Sequence, residues 1–396
     1  MVRTYKCRVK LSMSGHEALS RVFGMCATLY NACLEERIDC YKKTGESRSY
    51  YDQCKALTEV RADDPEYASI SVQVFRGAIG RIDKAYKSFF RRVKTKEKAG
   101  FPRFKSSRRW RTIEINDQCW RMLKREGNKL VLKIKGLPRM EVKSSRELPP
   151  SRLLKAIRIT RKPLRTEVAL SYDLPTPEAK PVSNPVGIDM GISKRLTLSD
   201  GETVEKREID HRKIIRLQRS VSRKVKGSNN RRKAVALLAK EWQRVTDGER
   251  NYIHRLTAEL VKMYDLIAVE KLKTKNMLWN RNLARSISEQ AWGKFAALLN
   301  EKAESAGVKM MEVDPRGTSQ ECSSCGAEVK KSLSIRTHKC TCGLEMDRDL
   351  NAAINILHRG ISVAGGKLKQ SRMAGRMKMK RADVGPVRPR TVEITV

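Results

Sequence analysis

The period of the apolar positions changes several times along the chain, and each change predicts an element. Tyr5, Cys7, Val9 and Leu11 alternate with polar residues, so residues 3–12 read as a half-buried strand. From His16 to about Tyr41 the spacing becomes helical, with Val22, Cys26, Leu29, Cys33 and Cys40 on one face. Gly45 and Ser47 mark a turn. Residues 50–62 and 69–95 carry two more helical patterns, the second with Val74, Phe75, Ala78, Ile79, Ile82, Ala85, Phe89 and Phe90. A small helical bundle is expected. From 111 to 173 the pattern is β, with strands at Leu130–Ile134, Ile157–Thr160 and Val168–Tyr172. The opening strand needs partners, so it is expected to join this later sheet, with the bundle as an insertion. Pro175, Pro177, Pro181 and Pro185 then form a linker.

Past the linker the predicted order is three strands, helices, a strand, a helix and a strand. The strands are Val186–Met190, Lys194–Ser199, Thr203–Glu208, Leu266–Glu270 and Val308–Val313. The helical stretch after the third strand breaks at Gly227-Ser228-Asn229-Asn230, and Ile287–Ala306 is read as one helix. No internal repeat is visible. At about 100–200 residues per domain, 396 residues make two or three domains.

Charge narrows the partner class. Lys and Arg total 84 against 44 acidic residues, a formal net charge of +40. Such a field attracts polyanions and gains affinity by releasing counterions from phosphates, so nucleic acid is the expected partner. No apolar run of about 18 residues exists, and no amphipathic basic helix has an aromatic face, so a membrane partner is not expected. Cys7, Cys26, Cys33, Cys40, Cys54 and Cys119 lie outside the late cluster; of these Cys26, Cys33 and Cys40, recurring every seven residues, read as core residues, and a reducing, cytosolic compartment is expected. The stretch G-F-P-R-F-K-S-S-R-R-W-R interleaves Phe101, Phe104 and Trp110 with Arg103, Lys105, Arg108 and Arg109. Its cations suit phosphates; its aromatics suit either base stacking or burial beneath the loop. From His211 to Lys233 there are eleven His, Lys or Arg residues and no acid, and Arg216, Arg219, Arg223 and Lys224 are expected to track a phosphate backbone.

Three carboxylates stand at element ends. In V-G-I-D-M-G-I, Asp189 shares a strand face with Gly187 and Gly191, which are expected to let a metal and a phosphodiester approach closely. Glu270 closes the apolar strand of Y-D-L-I-A-V-E-K-L. In E-M-D-R-D-L-N-A-A-I-N-I-L, Asp349 precedes a helical run, and Asp347 competes with it for the roles of helix cap and site ligand. Oxygen donors of this kind hold Mg²⁺ or Mn²⁺, and two such ions about 3.5–4 Å apart can hydrolyse a phosphodiester. Asp189 is expected to bridge the ions, with Glu270 and one of the late aspartates each completing one shell. Cys322-x₂-Cys325 and Cys340-x-Cys342 have the arrangement of a tetrahedral structural Zn²⁺ site, with His338 outside it.

These motifs together resemble the TnpB family, transposon-associated nucleases related to the type V CRISPR effectors. The resemblance runs through A-Y-K-S-F-F-R-R-V-K, G-F-P-R-F-K, G-I-D-M-G-I, A-V-E-K-L, D-P-R-G-T-S-Q-E-C-S-S-C-G and D-R-D-L-N-A-A-I-N-I. The Cys-x-Cys pair is tighter than the family's usual second pair. The resemblance implies an α/β multidomain protein. Residues 1–180 would form a β-barrel wedge domain with a helical recognition bundle inserted at about 14–98. Residues 181–316 and 344–360 would form a RuvC-like nuclease domain of RNase H fold, interrupted by a zinc ribbon at 317–343. The basic tail, 361–396, is expected to be disordered when free. The resemblance also implies catalysis by Asp189, Glu270 and Asp349, a guide RNA, and a double-stranded DNA target cut beside a short flanking motif. Tyr51, Gln53, Gln73 and Arg76 in the bundle are candidates for reading that motif. A nuclease-inactive RNA-guided regulator and an RNase H-fold transposase are the competing readings.

Overall fold

The computed structural model describes residues 1–365 apart from 117–119, 127–128, 273, 280–282 and 333–334, with the backbone alone at 120–126 and 275. The expectations for Cys119 and for most of the basic tail therefore lie outside the described residues.

The first half is one sheet with four helices folded onto it. Strand β1 (Val2–Lys10) is followed by α1 (Met13–Thr44), α2 (Tyr50–Asp63), α3 (Pro65–Ser69) and α4 (Val72–Lys94). Then come β2 (Thr112–Ile115), β3 (Trp120–Glu126), β4 (Lys129–Ile134), β5 (Met140–Lys143), β6 (Leu154–Arg161) and β7 (Thr166–Asp173). The strands order β2-β6-β7-β1-β5-β4-β3. β1 thus sits mid-sheet between strands more than 100 residues later, with Cys7 opposite Val168 and Val9 opposite Val142. The helices do form an insertion, but not a separate body. Phe23, Tyr30 and Leu34 of α1 and Phe75, Ile79 and Ile82 of α4 share one core with Ile115, Ile157 and Leu170 of the sheet. The ladder is open, with β2 and β3 at its edges, so among the described residues hydrogen bonding does not close the expected barrel.

Local signals set the helix limits. The Ser12 hydroxyl accepts from Gly15 N and starts α1, and Gly45 ends it at φ +73°. Ser49 and Asp52 form a reciprocal capping box on α2, and Asp64-Pro65 starts α3. Cys26 and Cys33 are buried, which pushes each thiol up to about 12 and leaves both unreactive.

After the exposed proline linker, the second sheet contains β8 (Pro185–Asp189), β9 (Lys194–Leu198) and β10 (Thr203–Glu205). Helices α5 (Arg212–Ser222) and α6 (Asn229–Met263) follow, then β11 (Leu266–Glu270). Next come α7 (Thr274–Met277), α8 (Ala284–Gln290), α9 (Trp292–Ala306) and β12 (Lys309–Val313). A small hairpin, β13 (Thr337–Lys339) with β14 (Glu345–Asp347), leads into α10 (Arg348–Val363). The order is β10-β9-β8-β11-β12, antiparallel among the first three strands and parallel from β8 to β12.

Alternation along β8 and β11 assigns their faces. Val186, Ile188, Ile267 and Val269 pack with Ile253 and Leu260 of α6 and Phe295 and Leu299 of α9. Leu266 and Ala268 pack on the opposite face with Ile356 of α10. Gly187 faces α10 so closely that a Cβ there would lie 2.1 Å from the Ala353 carbonyl oxygen. This corrects the expectation for that glycine: it admits a helix backbone rather than a metal. Gly191 likewise faces the Lys194 carbonyl, 2.7 Å from where a Cβ would stand.

The helix expected at Ile287–Ala306 is two helices, α8 and α9, broken at Ala291 with φ +51°. The break has a buried cause. Arg195 of β9 is 1% exposed, and its Nη2 donates to the Gln290 carbonyl at 2.8 Å and to Glu249 Oε1 at 2.7 Å. A continuous helix would have used that carbonyl itself.

Among the described residues no helix is long and apolar enough to cross a membrane. The Gly187 contact predicts that Gly187→Ala destabilises the fold by about 3 kcal/mol, since backbone must move. Gly24→Ala, in α1 with open space around it, should be neutral or up to about 1 kcal/mol stabilising. Chemical denaturation of both variants checks the contrast.

Candidate active site and cysteine ribbon

The strand register brings two carboxylates together. β8 and β11 run parallel with Ile188 opposite Val269, so Asp189 and Glu270 end adjacent strands. Both follow the alternation onto the face that α10 covers. Helix α10 supplies the third. Asp347 is its N-cap, with Oδ1 accepting from Asp349 N at 2.8 Å and Leu350 N at 3.2 Å. That leaves the Asp349 carboxylate in the first turn, free of the capping role and 18% exposed. Burial, then the charges of Glu270 and Asp349, push the Asp189 carboxyl up to about 8. Burial also raises Glu270, against the opposing effects of a Thr318 hydrogen bond and the Arg359 charge.

The site is therefore a half-buried cluster of acidic groups. Oxygen donors that repel one another fit hard divalent cations, whose charge would favour the ionised forms. The three carboxylates do not converge on one point. Among the described residues, the ligand set whose donor atoms all lie within 4.8 Å of one another is Cys322, Cys325, Cys340 and Cys342.

Those sulfurs are 3.7 Å apart for Cys322 and Cys342 and 3.6 Å for Cys325 and Cys340. A tetrahedron with Zn–S bonds of about 2.3 Å has edges of about 3.8 Å, so four thiolates here fit Zn²⁺. Each knuckle turns on a left-handed glycine, Gly326 at φ +77° and Gly343 at φ +88°. Gly326 N donates to Cys322 O, and Gly343 N to Cys340 O. His338 is buried away from the sulfurs, its Nδ1 against Lys331 Nζ.

The expected nucleic-acid contacts divide. Tyr51 is 80% exposed, while Gln73 and Arg76 are half-buried. Gln53 is not available: it is 1% exposed, donates to Cys33 O at 2.7 Å and Glu36 Oε2 at 2.8 Å, and accepts from Arg37 Nε at 2.9 Å. It is a core amide joining α1 to α2. Arg103, Arg108 and Arg109 are exposed, and Lys105 lies over the Tyr30 ring at 4.6 Å. Trp110 is core, packed on Tyr30, whereas Phe101 and Phe104 are exposed. Phe101 continues an aromatic cluster with Tyr86 and Phe89, and Phe89 leads on to the exposed Phe90. On α5, Arg216 and Arg219 are exposed; past its end Arg223 is exposed and Lys224 half-buried.

Two features escaped sequence reasoning. A groove of about 1330 Å³ lies between β1 and helices α6 and α9, lined by Lys6, Arg8, Arg146, Arg250 and Lys302 among others. Burial, then Arg250, Lys302, Arg146 and Lys6, lower His254 there to about 4. Only tertiary packing brings these cations together. The other is the polar face of α10, whose signal was the i, i+4, i+8 spacing of Asn351, Asn355 and Arg359.

Comparison with known proteins places the chain. A Cas12f1-like TNB domain matches residues 292–356, which span α9, β12, the cysteine ribbon and most of α10. The OrfB_IS605 model, described as "Probable transposase", matches residues 165–281, and an OrfB_IS605 helix-turn-helix model matches 1–46, here β1 and the single helix α1. The solved structure titled as the mini-RNA-guided endonuclease CRISPR-Cas_phi3 shares the fold, with a TM-score of 0.52 at 10% identity, covering 91% of this chain and 92% of that one. The fold is thus an α/β fold of the TnpB and Cas12 kind. A Streptomyces pristinaespiralis protein named "Putative RNA-guided DNA endonuclease" is 31% identical over 390 residues, 94% of each chain. The Escherichia coli K12 protein "Putative RNA-guided DNA endonuclease InsQ" is 29% identical over 384 residues, 89% of this chain and 91% of its own. The chain belongs to the TnpB (OrfB/IS605) family.

The division of labour between the two late aspartates is measurable. Asp347→Ala should cost about 1 kcal/mol of stability through the lost cap. Asp349→Ala should leave stability unchanged or raised, because it removes a charge that opposes Asp189. Denaturation midpoints of the two variants check it.

Proposed function

We propose that the protein is an RNA-guided DNA endonuclease whose RuvC-like centre, of RNase H fold, holds two divalent cations on Asp189, Glu270 and Asp349. The observation that carries this reading is the meeting of Asp189 and Glu270 on the face covered by α10, with Asp349 in that helix's first turn. Asp189, which feels the charges of both others, would serve both ions, and Glu270 and Asp349 would each serve one. Bound Mg²⁺ or Mn²⁺ would activate a water and stabilise the leaving oxygen of a phosphodiester.

The chain's own residues do the rest. The sheet and α10 hold the acidic groups in place before substrate arrives. The groove with Lys6, Arg146, Arg250 and Lys302, and the exposed arginines of α5, suit nucleic-acid backbones. Guide RNA and double-stranded target DNA are the proposed partners, in keeping with the names of the relatives. Tyr51, Gln73 and Arg76 remain the candidates for the flanking motif. The first sheet with its helices is the proposed wedge and recognition unit, 1–180, and the second sheet is the nuclease unit. Cys322, Cys325, Cys340 and Cys342 hold a structural Zn²⁺ in the ribbon. The site of action is the prokaryotic cytosol or nucleoid. The presence of all three carboxylates disfavours an inactive regulator.

Asp189→Ala should lower cleavage of a guide-matched plasmid by about 10³-fold or more while guide and target binding persist. Cleavage retained in that variant, or cleavage by wild-type protein without RNA, would sink the reading. Elemental analysis should find one zinc per chain, lost in Cys322→Ser/Cys340→Ser; zinc-free active protein would remove zinc from it.

A further inference from the structure

We propose that Thr318 is a positioning residue for Glu270, and that Asn351, Asn355 and Arg359 of α10 join it mechanically to the cysteine ribbon. This rests on Glu270 being a cation ligand. Thr318 is 3% exposed, and its Oγ1 lies 2.6 Å from Glu270 Oε1 and 3.1 Å from Pro315 O. One hydroxyl carries one proton, and the shorter contact to a carboxylate is the stronger acceptor. The donated bond fixes the side chain of Glu270, occupies one oxygen and leaves Oε2 to face a cation. Partners of this kind orient ligands throughout metal sites.

Thr318 lies between β12 and the ribbon in the segment D-P-R-G-T-S-Q-E, outside any helix or strand, so its position needs another source. Helix α10 provides it. Asn355 Nδ2 donates to Thr318 O at 2.9 Å and to Glu321 O at 2.8 Å. Arg359 Nη1 donates to Asp314 O at 2.8 Å and Arg316 O at 2.6 Å, and its Nη2 pairs with Glu321 Oε2 at 2.8 Å. Asn351 is fully buried. Its Nδ2 donates to Glu321 O at 2.7 Å, and its Oδ1 accepts from Ser323 N at 3.0 Å, next to ligand Cys322. One helix face thus supplies donors to the loop's carbonyls, the buried Thr318 carbonyl among them. The path from ribbon to site is therefore Cys322, Ser323, Asn351, Asn355, Thr318, Glu270. Loss of the ribbon's ion loosens the loop, frees Glu270 to change rotamer and weakens cation binding at the carboxylates.

The test measures Mn²⁺ binding to the RNA-loaded protein by electron paramagnetic resonance, together with the Mn²⁺ dependence of cleavage. Mn²⁺ prefers oxygen donors, so the cysteine site contributes little. Thr318→Val should raise half-saturating Mn²⁺ about tenfold, with a smaller change in the rate at saturation, and Thr318→Ser should stay within about twofold of wild type. Cys325→Ser should also raise it, and combined with Thr318→Val should add little, because both act through one path. If Thr318→Val binds Mn²⁺ like wild type while Asp189→Ala loses it, the positioning role is wrong and the carboxylate site stands. If Asp189→Ala binds like wild type, the carboxylate assignment itself fails. Equal impairment in the Val and Ser variants overturns the role of the hydroxyl, and additive effects of Cys325→Ser and Thr318→Val overturn the coupling.

Discussion

Helix α10 rests on β8 at backbone distance because Gly187 has no side chain. A Cβ there would meet Ala353 O at 2.1 Å, and one on Gly360 would meet the Ala268 side chain at 2.4 Å. Two glycines, one on the sheet and one on the helix, thus set α10 down across β8 and β11. Everything at the site follows from that contact. Asp189 lies two residues past Gly187 on the same face, and Asp349 lies one helical turn before Ala353. Docking the helix brings the Asp349 charge to bear on Asp189, and the parallel register sets Glu270 at the end of the neighbouring strand. The same docking aims the polar face of α10 at the loop carrying Thr318. Desolvation of Asp189, with the like charges of Glu270 and Asp349 beside it, pushes its carboxyl up to about 8. Bound cations would offset that repulsion.

The sequence made the elements legible wherever period and local chemistry agreed. The alternation around Cys7 and Val9 marked β1, and its need for neighbours pointed to a sheet more than 100 residues away, where it is found. The order of Asp189, Glu270 and the late aspartates along the chain pointed to one site. What stayed hidden depended on contacts between distant segments. Gly187 reads the same in sequence whether it faces a substrate or a helix. Gln53 looks like a surface amide on an amphipathic helix, yet Arg37 and Cys33 bury it. The break at Ala291 has no glycine or proline to announce it, since Arg195 creates it from another strand. Asp347 and Asp349 are alike in composition, and only the cap geometry separates them.

The cations show a similar split. Some of the 84 Lys and Arg residues are committed within the fold: Arg195 to Glu249, Arg165 to Glu167 and Asp247, Arg359 to the loop before the ribbon. Others line the groove beside β1, or stand exposed on α5 as Arg216 and Arg219 do. Net charge alone predicts a polyanionic partner, but its sorting into fixed and available cations follows from tertiary structure. The ribbon is a second unit of this kind. Its four sulfurs are set by their own knuckles, yet its base is tied to α10 through Asn351.

The most direct measurement is anomalous scattering from crystals of the protein grown with Mn²⁺. The expected result is density bounded by Asp189, Glu270 and Asp349, with Asp189 in contact with both ions. Manganese absent from those carboxylates while bound elsewhere on the protein would contradict a cation-dependent nuclease centre at this site.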